Sequence, residues 1–540
     1  MKNTHRTVWA VVALLLGGTS AYAQLSFPTL SEDARLFSPS QTVGTARVQG
    51  FGGAGFSLGG DISASALNPA GLGFYNRSSI AVTPFFRGIE TNTNLGGVAS
   101  ENNYLGDYGV ASFGIVFSKP KDNVVPSRFR GGSFAVTFNQ TNTYSFTNTF
   151  GGNTTDFSFI DDVSGRAGGI NVATLDAELE QNPPQIPDYI AAAYDNFLIN
   201  AVFDENGVHD GTYVASLPPG VLAQPIGTSE TSGRMNQWNF SYGGNFDNKL
   251  YVGGSIGLMS FRQERQNLYR ESYIYPQEYD NFLNEDNFFF PAANNPLSID
   301  YVDDIQLTEV QEVIGTGVNA NLGIIYRPIE ALTVGVSFLT PTIFGVEELN
   351  YFDFTSNIRG LQLSDSSDFL EQVNPLSRGN EGLLSYNLKT PARLGVGASY
   401  FFEKYGFLTA DVEYVRYPGY RFSSSDNAVS DIMSGTNREV EEIYQSTVNY
   451  RLGGEFRYSV LRLRLGYAMF MDPTDFQDDT LNRNRQSISG GVGVITSSFF
   501  ADLAVISSQF DTDARPYGGA DFYSQTNNLT NVLLTLGFNF

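Results

Sequence analysis

Apolar residues alternate with small or polar residues along most of this chain, which is the two-residue period of β-strands. The last strand-like segment shows the alternation most clearly. Its apolar face consists of Val532, Leu534, Leu536, Phe538 and Phe540. The opposite face is smaller and more polar, so the segment separates an apolar environment from a wetter one. This pattern favours a transmembrane strand over the alternative, an ordinary sandwich strand that ends in phenylalanine.

The same period predicts fourteen strands between residues 79 and 540. Their predicted spans are 79–87, 107–118, 132–147, 234–247, 249–264, 306–327, 331–352, 382–402, 406–422, 443–458, 461–472, 486–496, 499–511 and 527–540. Very short turns alternate with long loops, of which 148–233 and 265–305 are the longest, and only 119–131 is long where a short turn is expected. This segregation is typical of bacterial outer-membrane barrels. We therefore predict an all-β, fourteen-stranded antiparallel transmembrane β-barrel over residues 79–540.

The N-terminal residues have the three parts of a secretory signal peptide. Lys2 and Arg6 precede the apolar run 8–16, and Ala21-Tyr22-Ala23 forms a cleavage site. The alternative, a helical membrane anchor, needs about 20 apolar residues, which this run does not supply. The absence of cysteine excludes a lipoprotein anchor, disulfides and thiol chemistry. We predict export after removal of residues 1–23.

Composition narrows the class of protein further. The chain is rich in Gly (56), Phe (43) and Tyr (29), as barrel strands are, and its net charge is -24. An acidic chain of this kind lacks the basic surface that nucleic acid requires. We expect a monomer in the cell outer membrane, surrounded by outer-membrane lipids. The terminal Phe540 resembles the signal by which the barrel assembly machinery recognises its substrates for insertion.

Charged residues alternate with apolar ones in two late strands. The arginines in this pattern are Arg451, Arg457, Arg462 and Arg464. A lysine or arginine on the lipid face costs about 2–4 kcal/mol at mid-bilayer, so these side chains are expected to face the lumen. There they lie within reach of acidic residues such as Asp411, Glu413 and Glu455. Two interpretations follow: a carboxylate-binding patch, or a structural ion-pair network that braces the wall.

Residues 24–78 are rich in glycine and precede the first predicted strand. They contain the glycine-rich run 50–60, then Asp61, Ser63 and Asn68-Pro69-Ala70. Together with Arg451–Phe456 and Leu463–Tyr467, this pattern resembles the FadL/TodX family of outer-membrane transporters for long-chain fatty acids and aromatic hydrocarbons. The resemblance implies that residues 24–78 form a hatch, or plug, inside fourteen strands. It also implies gating by movement of that hatch and lateral exit of the ligand through the wall.

One loop has helical rather than strand periodicity. Its apolar stripe includes Tyr189, Ile190, Tyr194, Phe197 and Leu198, with spacings of three and four residues. This predicts an amphipathic helix of about four turns between residues 186 and 202. The family resemblance implies that such a helix forms a capture groove for the ligand above the barrel. The alternative is that the stripe packs onto the barrel rim.

Little in the sequence points to catalysis. His209 is the one histidine outside the signal peptide, so a histidine-based triad or metal site has no basis. We expect no enzymatic activity, no cofactor and no metal ion. The predicted function is passive uptake of small hydrophobic molecules, above all long-chain fatty acids. The alternatives are a component of a secretion or surface-display machine, an adhesive barrel, and a receptor for haem or another ligand.

Two prolines lie inside predicted strands, Pro84 in the first and Pro391 in the eighth. Proline lacks the N–H that a strand ladder needs, and a closed barrel has no free edge to accommodate it. We expect each proline at a bulge, a kink or a rim. We further expect a wall opening near Pro84.

Overall fold

The computed structural model describes residues 30–540 apart from 39–40, 96–97, 100–102, 122–126, 152–157, 179–187, 205, 219, 277–300, 363–368, 373–375, 476–480, 515–516 and 518–522. The predicted signal peptide, residues 1–23, lies outside the described residues. In the ranges that are described, no helix has the length and the apolar character needed to cross a membrane.

The secondary structure is dominated by strands. Up to residue 274 they are β1 (Ser79–Leu95), β2 (Val98–Ala99), β3 (Asn103–Pro120), β4 (Phe129–Thr143), β5 (Phe146–Gly151), β6 (Ile199–Phe203), β7 (His209–Ala215), β8 (Leu222–Phe246) and β9 (Leu250–Ile274). From residue 301 onward they are β10 (Tyr301–Ile329), β11 (Leu332–Leu339), β12 (Ile343–Gln362), β13 (Phe369–Gln372), β14 (Leu376–Lys389), β15 (Arg393–Phe402), β16 (Gly406–Arg416), β17 (Arg421–Ser423), β18 (Ser446–Tyr458), β19 (Leu461–Phe470), β20 (Arg485–Ile495), β21 (Phe499–Ala514) and β22 (Tyr523–Asn539).

Helices are short and lie at the N-terminus and in the loops. The α-helices are α1 (Leu30–Asp33), α2 (Ala46–Gly50), α3 (Ala64–Leu67), α4 (Phe159–Ala167), α5 (Val172–Glu178), α6 (Asp188–Asp195) and α7 (Asn427–Ile443). Short 3-10 helices cover Ala34–Phe37, Pro69–Phe74 and Tyr417–Gly419.

The strands close into a fourteen-stranded antiparallel barrel. Five pairs of consecutive passes are joined by very short turns at the end where the chain also enters and leaves, and β22 pairs with β1 to close the wall. Three passes are built from two segments each, namely β11 with β12, β14 with β15, and β16 with β17. The hairpin of β6 and β7 stands outside this sheet. The predicted fold class is therefore confirmed.

The outer wall carries a continuous band of exposed apolar side chains next to the short turns. On β9 this band consists of Leu250, Val252, Ile256 and Leu258. On β19, Leu463 is 54% exposed and Leu465 is 75% exposed. An exposed apolar band around a closed barrel is stable only where lipid replaces water. The band therefore marks the membrane-spanning part of the wall.

Several strands continue well beyond this band. Outward residues on β9 become charged at Arg262 and Glu264, yet the ladder to β8 and β10 persists to the end of β9. The sequence pattern ended β9 near residue 264 because apolar alternation stops where the outer face meets water. Hydrogen bonding does not stop there. The predicted loops 148–233 and 265–305 thus contain the upper parts of β8, β9 and β10.

Both prolines lie at irregularities of the wall, as predicted. The register of β1 against β3 shifts between Thr83 and Pro84. Pro391 lies in the break between β14 and β15, opposite the break at Pro341 between β11 and β12. In this break Thr390 donates its amide to the Thr342 carbonyl at 2.9 Å, which satisfies groups that the ladder leaves free.

The described residues from 30 to 74, a range without 39–40, contact the inner side of the wall at several points. The amide of Ala46 donates to the Thr535 hydroxyl at 2.8 Å, and the amide of Phe56 donates to the Asp411 carboxylate at 2.9 Å. Inward-facing glycines mark the places where this segment approaches the wall. A Cβ atom at Gly253 would overlap the Pro69 backbone. Glycine in a strand interior permits this close approach.

Two helices differ from the sequence prediction. The loop helix predicted over 186–202 is only α6, because the chain turns at Phe197 with a positive φ of 58° and then continues as β6. The helix α7 lies in a segment predicted to be a loop. Its Met433 and Val440 pack with Phe37 and Tyr444 in one apolar cluster. Apolar residues at 429, 432, 433 and 440 carry the helical period that would have predicted it.

Candidate functional site

The motif Asn68-Pro69-Ala70 connects the N-terminal segment to the wall by hydrogen bonds. The Asn68 side-chain amide is fully buried and donates to the Phe56 carbonyl at 2.6 Å and to the Val336 carbonyl at 3.2 Å. Its side-chain oxygen accepts from the Ala70 amide at 3.1 Å, which caps the 3-10 helix that Pro69 begins. The motif packs against the inner faces of β8, β9, β10 and β11. The role of these three residues in gating stays a prediction.

The lumen arginines lie on the inner faces of β18 and β19. Arg464 contacts Glu455 at 2.8 Å and Asp502 at 2.6 Å, and all three side chains are buried. Arg457 contacts the same Glu455 at 2.7 Å. Arg47 of α2 approaches Glu455 at 3.5 Å, so the N-terminal segment joins the cluster. The positive charges of these arginines are therefore partly neutralised by the two carboxylates on the inner face of the wall.

The other two predicted lumen arginines, Arg451 and Arg462, have different kinds of partner. Arg451 contacts Glu413 at 3.1 Å, and Arg393 approaches Glu413 at 3.6 Å. Arg462 donates to the carbonyls of Ser459 and Leu461 at the short-turn end. With Arg457 it lines a cavity of about 200 Å³ on that side. The carboxylate contacts of Arg451, Arg457 and Arg464 are those of an ion-pair network, one of the two interpretations, whereas the described contacts of Arg462 are with carbonyls.

A larger cavity, the upper cavity, lies above the N-terminal segment toward the loops. Its volume is about 360 Å³, and its aromatic lining includes Phe150, Tyr269 and Tyr523. Phe150 of β5 stacks on Tyr523 of β22 with ring centroids 4.5 Å apart. Arg35 and Arg485 lie in the same lining. Three aspartates and further neutral polar residues also line it, so the upper cavity combines an aromatic surface with polar and charged groups of both signs.

A second, smaller cavity continues from the upper cavity. Its volume is about 20 Å³, and Gln41 and Arg485 line both. Its other lining residues include Arg87, Ala111 and Gln140. We call it the arginine cavity. The volume suffices for a water molecule or a small polar group.

The wall is interrupted beside the arginine cavity. β3 pairs with β4 from Pro120 up to Ser112, but within the described residues its upper part, Asn103–Ala111, has no ladder partner on that side. The register of β4 against β8 shifts between Gln140 and Asn142 at the same level, and β5 then continues the ladder on β8 and also contacts β1. Ala111 lies nine residues from Pro120. At about 3.3 Å per residue and the usual tilt, the interruption begins near the top of the apolar band.

The predicted capture residues lie in an apolar cluster at the loop side, which we call the rim cluster. Tyr189, Ile190 and Leu198 are almost fully buried in it, and Tyr194 and Phe197 are half-buried at its edge. Glu271 of β9 lies in the same region and accepts from the Phe159 amide at 2.9 Å. The buried part of the stripe therefore packs onto the barrel, as the alternative interpretation had it. A ligand-capture role for these five residues stays a prediction.

Phe540 follows β22 at the short-turn end. Its side chain is 62% exposed on the apolar outer surface, and its amide donates to the Ser78 carbonyl at 2.9 Å. Within the described ranges, no group of three or more histidine, cysteine, aspartate or glutamate residues is placed to hold a metal ion. The fold and the site define a barrel of the transmembrane type. Its lumen contains the N-terminal segment, and its wall is interrupted between β3 and β4.

No protein-family model matches the chain, and no curated protein matches it. Among solved structures, the Pseudomonas putida toluene transporter TodX is 12% identical over 93% of this chain and 99% of its own, with a TM-score of 0.49. The Ralstonia pickettii toluene transporter TbuX is 15% identical over 93% of this chain and 99% of its own, with a TM-score of 0.46. A Pseudomonas aeruginosa FadL homologue is 13% identical over 96% of this chain and all of its own, with a TM-score of 0.47. TodX and FadL are the names of the family that the N-terminal pattern resembles.

Proposed function

We propose that this protein is an outer-membrane channel for the passive uptake of small hydrophobic molecules, with long-chain fatty acids as the leading substrate class. The observation that carries the proposal is the succession of upper cavity, arginine cavity and wall interruption. Neighbouring cavities in this succession share the lining residues Gln41 and Arg485. The succession ends at Ala111 and Gln140, where the ladder between β3 and β4 stops.

The ligand enters at the loop side and leaves through the wall interruption into the outer leaflet. An apolar solute avoids the charged cluster around Glu455 by leaving the lumen above it, since crossing that cluster would require desolvated charges to separate. The hatch is anchored by the Ala46, Phe56 and Asn68 contacts, which favours a path that does not require its displacement. The ligand therefore leaves laterally through the wall, without movement of the hatch.

Uptake of a radiolabelled long-chain fatty acid by cells tests the proposal. A strain that lacks the protein is compared with the same strain carrying the gene on a plasmid, and heat-modifiable migration shows that the barrel is folded. We expect faster initial uptake in the complemented strain. Equal uptake in both strains with a folded barrel would contradict the proposal. Co-purification of secretion proteins would then favour the secretion or surface-display role.

A further inference from the structure

The outer wall carries a large groove across β15, β16, β18 and β19, which we call the outer groove. Its volume is about 1170 Å³. The polar and charged residues in its lining, such as Glu455 and Arg464, are buried and face the lumen. The surface that the outer groove presents to the surroundings is therefore apolar, and it belongs to the membrane-spanning band.

Small residues form the floor of the outer groove, and large apolar side chains form its sides. Ala398 and Ala410 are outward-facing partners in the ladder between β15 and β16. Gly454 of β18 pairs with Leu408 on one side and with Leu465 on the other. Leu408 is 58% exposed and Leu465 is 75% exposed. Because these leucines flank a position without a side chain, the lipid-facing wall is concave here.

The outer groove extends over the half of the membrane next to the short turns. Tyr405, in the turn between β15 and β16, lines its lower end, and Ala410 lies five residues further along β16. At about 3.3 Å per residue and a tilt of about 40°, this stretch rises by about 13 Å. That rise is close to half of a hydrocarbon core of about 30 Å. The groove therefore matches the length of a lipid acyl chain in one leaflet.

Two opposite charges lie beside the lower end of the outer groove. Glu403 and Lys404 are adjacent and exposed in the same turn, and in the described part of the chain neither forms an ion pair. The Lys404 ammonium lies 5.5 Å from the centre of the Tyr405 ring. A phosphoethanolamine group carries a phosphate and an ammonium next to each other. It therefore complements this lysine and glutamate in charge.

A second copy of the barrel fits the outer groove less well than a lipid does. Symmetric dimers bring the same surface patch of both subunits together. Two concave grooves that face each other would enclose a void, and the atoms lining a void lose their packing contacts. A flexible acyl chain adapts to the groove and fills it.

We propose that the outer groove binds one glycerophospholipid with a phosphoethanolamine head group. An acyl chain lies over Ala398, Ala410 and Gly454, the phosphate binds Lys404, and the ammonium lies near Glu403. The site goes beyond the proposed uptake function and is independent of it. None of the residues that line the outer groove lines the upper cavity or the arginine cavity.

Native mass spectrometry of the delipidated barrel in a non-ionic detergent tests the proposal. The probes are dipalmitoyl phosphatidylethanolamine and dipalmitoylglycerol, which has the same chains without the head group. We expect Ala410→Phe to lower the affinity for both about tenfold or more, because the ring takes the space of the chain and removes its contacts. We expect Lys404→Gln to lower only the affinity for phosphatidylethanolamine, about two- to fivefold, as loss of an exposed ion pair does.

Two variants outside the outer groove are the matched controls, and heat-modifiable migration shows that every barrel is folded. Ala501 faces outward between Val494 and Leu536, so Ala501→Phe adds the same ring elsewhere on the lipid-facing wall. Lys249 is exposed in the short turn between β8 and β9, so Lys249→Gln removes the same charge from another turn. Both variants should leave the affinities for both probes unchanged.

Equal binding of phosphatidylethanolamine by Ala410→Phe and Ala501→Phe, or its absence in the wild type, would overturn the proposal. If Ala410→Phe does not fold, Ala398→Phe makes the same test at the other alanine of the floor. Equal affinities of Lys404→Gln and Lys249→Gln would overturn the assignment of the head group. A wild-type dimer that Ala410→Phe abolishes would instead assign the outer groove to a second copy of the chain.

Discussion

The Arg234 guanidinium lies 3.0 Å from the Asp107 carboxylate and so links β8 to β3 across the wall interruption. Arg234 also donates to the Tyr108 carbonyl at 3.2 Å, and the Thr143 hydroxyl of β4 donates to Asp107 at 3.3 Å. Side chains here take the place of the missing ladder. Because a partly exposed ion pair contributes little free energy, this link is weaker than paired strands and opens more readily.

Arg234→Gln is expected to increase uptake of an apolar ligand about two- to fivefold, since the pair it removes stabilises the closed interruption by no more than about 1 kcal/mol. Initial uptake rates in cells measure the effect. Arg262→Gln serves as the control, because Arg262 is also an outward arginine near the upper edge of the apolar band. An uptake rate unchanged by Arg234→Gln, or raised equally by both variants, would mean that this pair does not restrain the path.

Neighbouring glycines on β9 distinguish the inner wall from the outer wall. Gly253→Ala places a methyl group against the Pro69 backbone, so we expect a destabilisation of about 1–3 kcal/mol. At Gly254 the added Cβ would lie 3.5 Å from the Leu322 side chain on the lipid side, in ordinary contact. Thermal unfolding in detergent and ion conductance in planar bilayers compare the two. Equal behaviour of the variants would contradict the close approach of the hatch at Gly253.

The rim cluster is expected to respond to pH through Glu271, which lies above the membrane-spanning part of β9. Burial raises the pKa of Glu271 from 4.5 to about 8. Since the folded-state pKa is the higher one, its contribution to stability is complete below about pH 4.5 and is lost as pH rises through about 8. Hydrogen exchange at Phe159, corrected for the intrinsic rate, should accelerate over this range. Glu271→Gln should remove the acceleration, and an unchanged pH profile in that variant would assign it to another group.

Locking the hatch to the wall tests whether the hatch has to move. A Cβ at Gly50 would lie 3.5 Å from that of Ala504, within the range of a disulfide, and the chain contains no cysteine. We expect oxidised Gly50→Cys/Ala504→Cys barrels to retain uptake near the rate of the reduced form. The single Gly50→Cys variant is the control. Loss of uptake on oxidation, with recovery in reductant, would instead support the hatch as the gate.

The strand period was sufficient to predict the fold. Alternation placed fourteen strands correctly because the lipid face of each tolerates only apolar residues, as Leu463 and Leu465 show. The same logic failed above the membrane, where outward Arg262 and Glu264 no longer alternate with apolar neighbours although β9 continues. The alternation of apolar and polar residues therefore does not predict where the strands end on the loop side.

The candidate site was harder to predict because it depends on partners rather than on residue type. Arg451 and Arg485 are both inward arginines, and a single sequence does not reveal that only one of them meets a carboxylate in the described structure. The wall interruption begins where the ladder between β3 and β4 ends, at the pair Ser112 and Asn139. The sequence drew attention to Pro84 on the neighbouring strand, which borders the interrupted strand on its other side.

The exit of the ligand through the wall interruption is the central claim, and a disulfide across it is the most direct test. The Thr143 hydroxyl and the Asp107 carboxylate are 3.3 Å apart, so Asp107→Cys with Thr143→Cys brings two thiols together on β3 and β4. Fatty-acid uptake is measured in cells before and after oxidation, with crosslinking verified by mass spectrometry. We predict that oxidation lowers uptake to the level of the strain without the protein and that reductant restores it. Undiminished uptake through fully crosslinked barrels would contradict the lateral path.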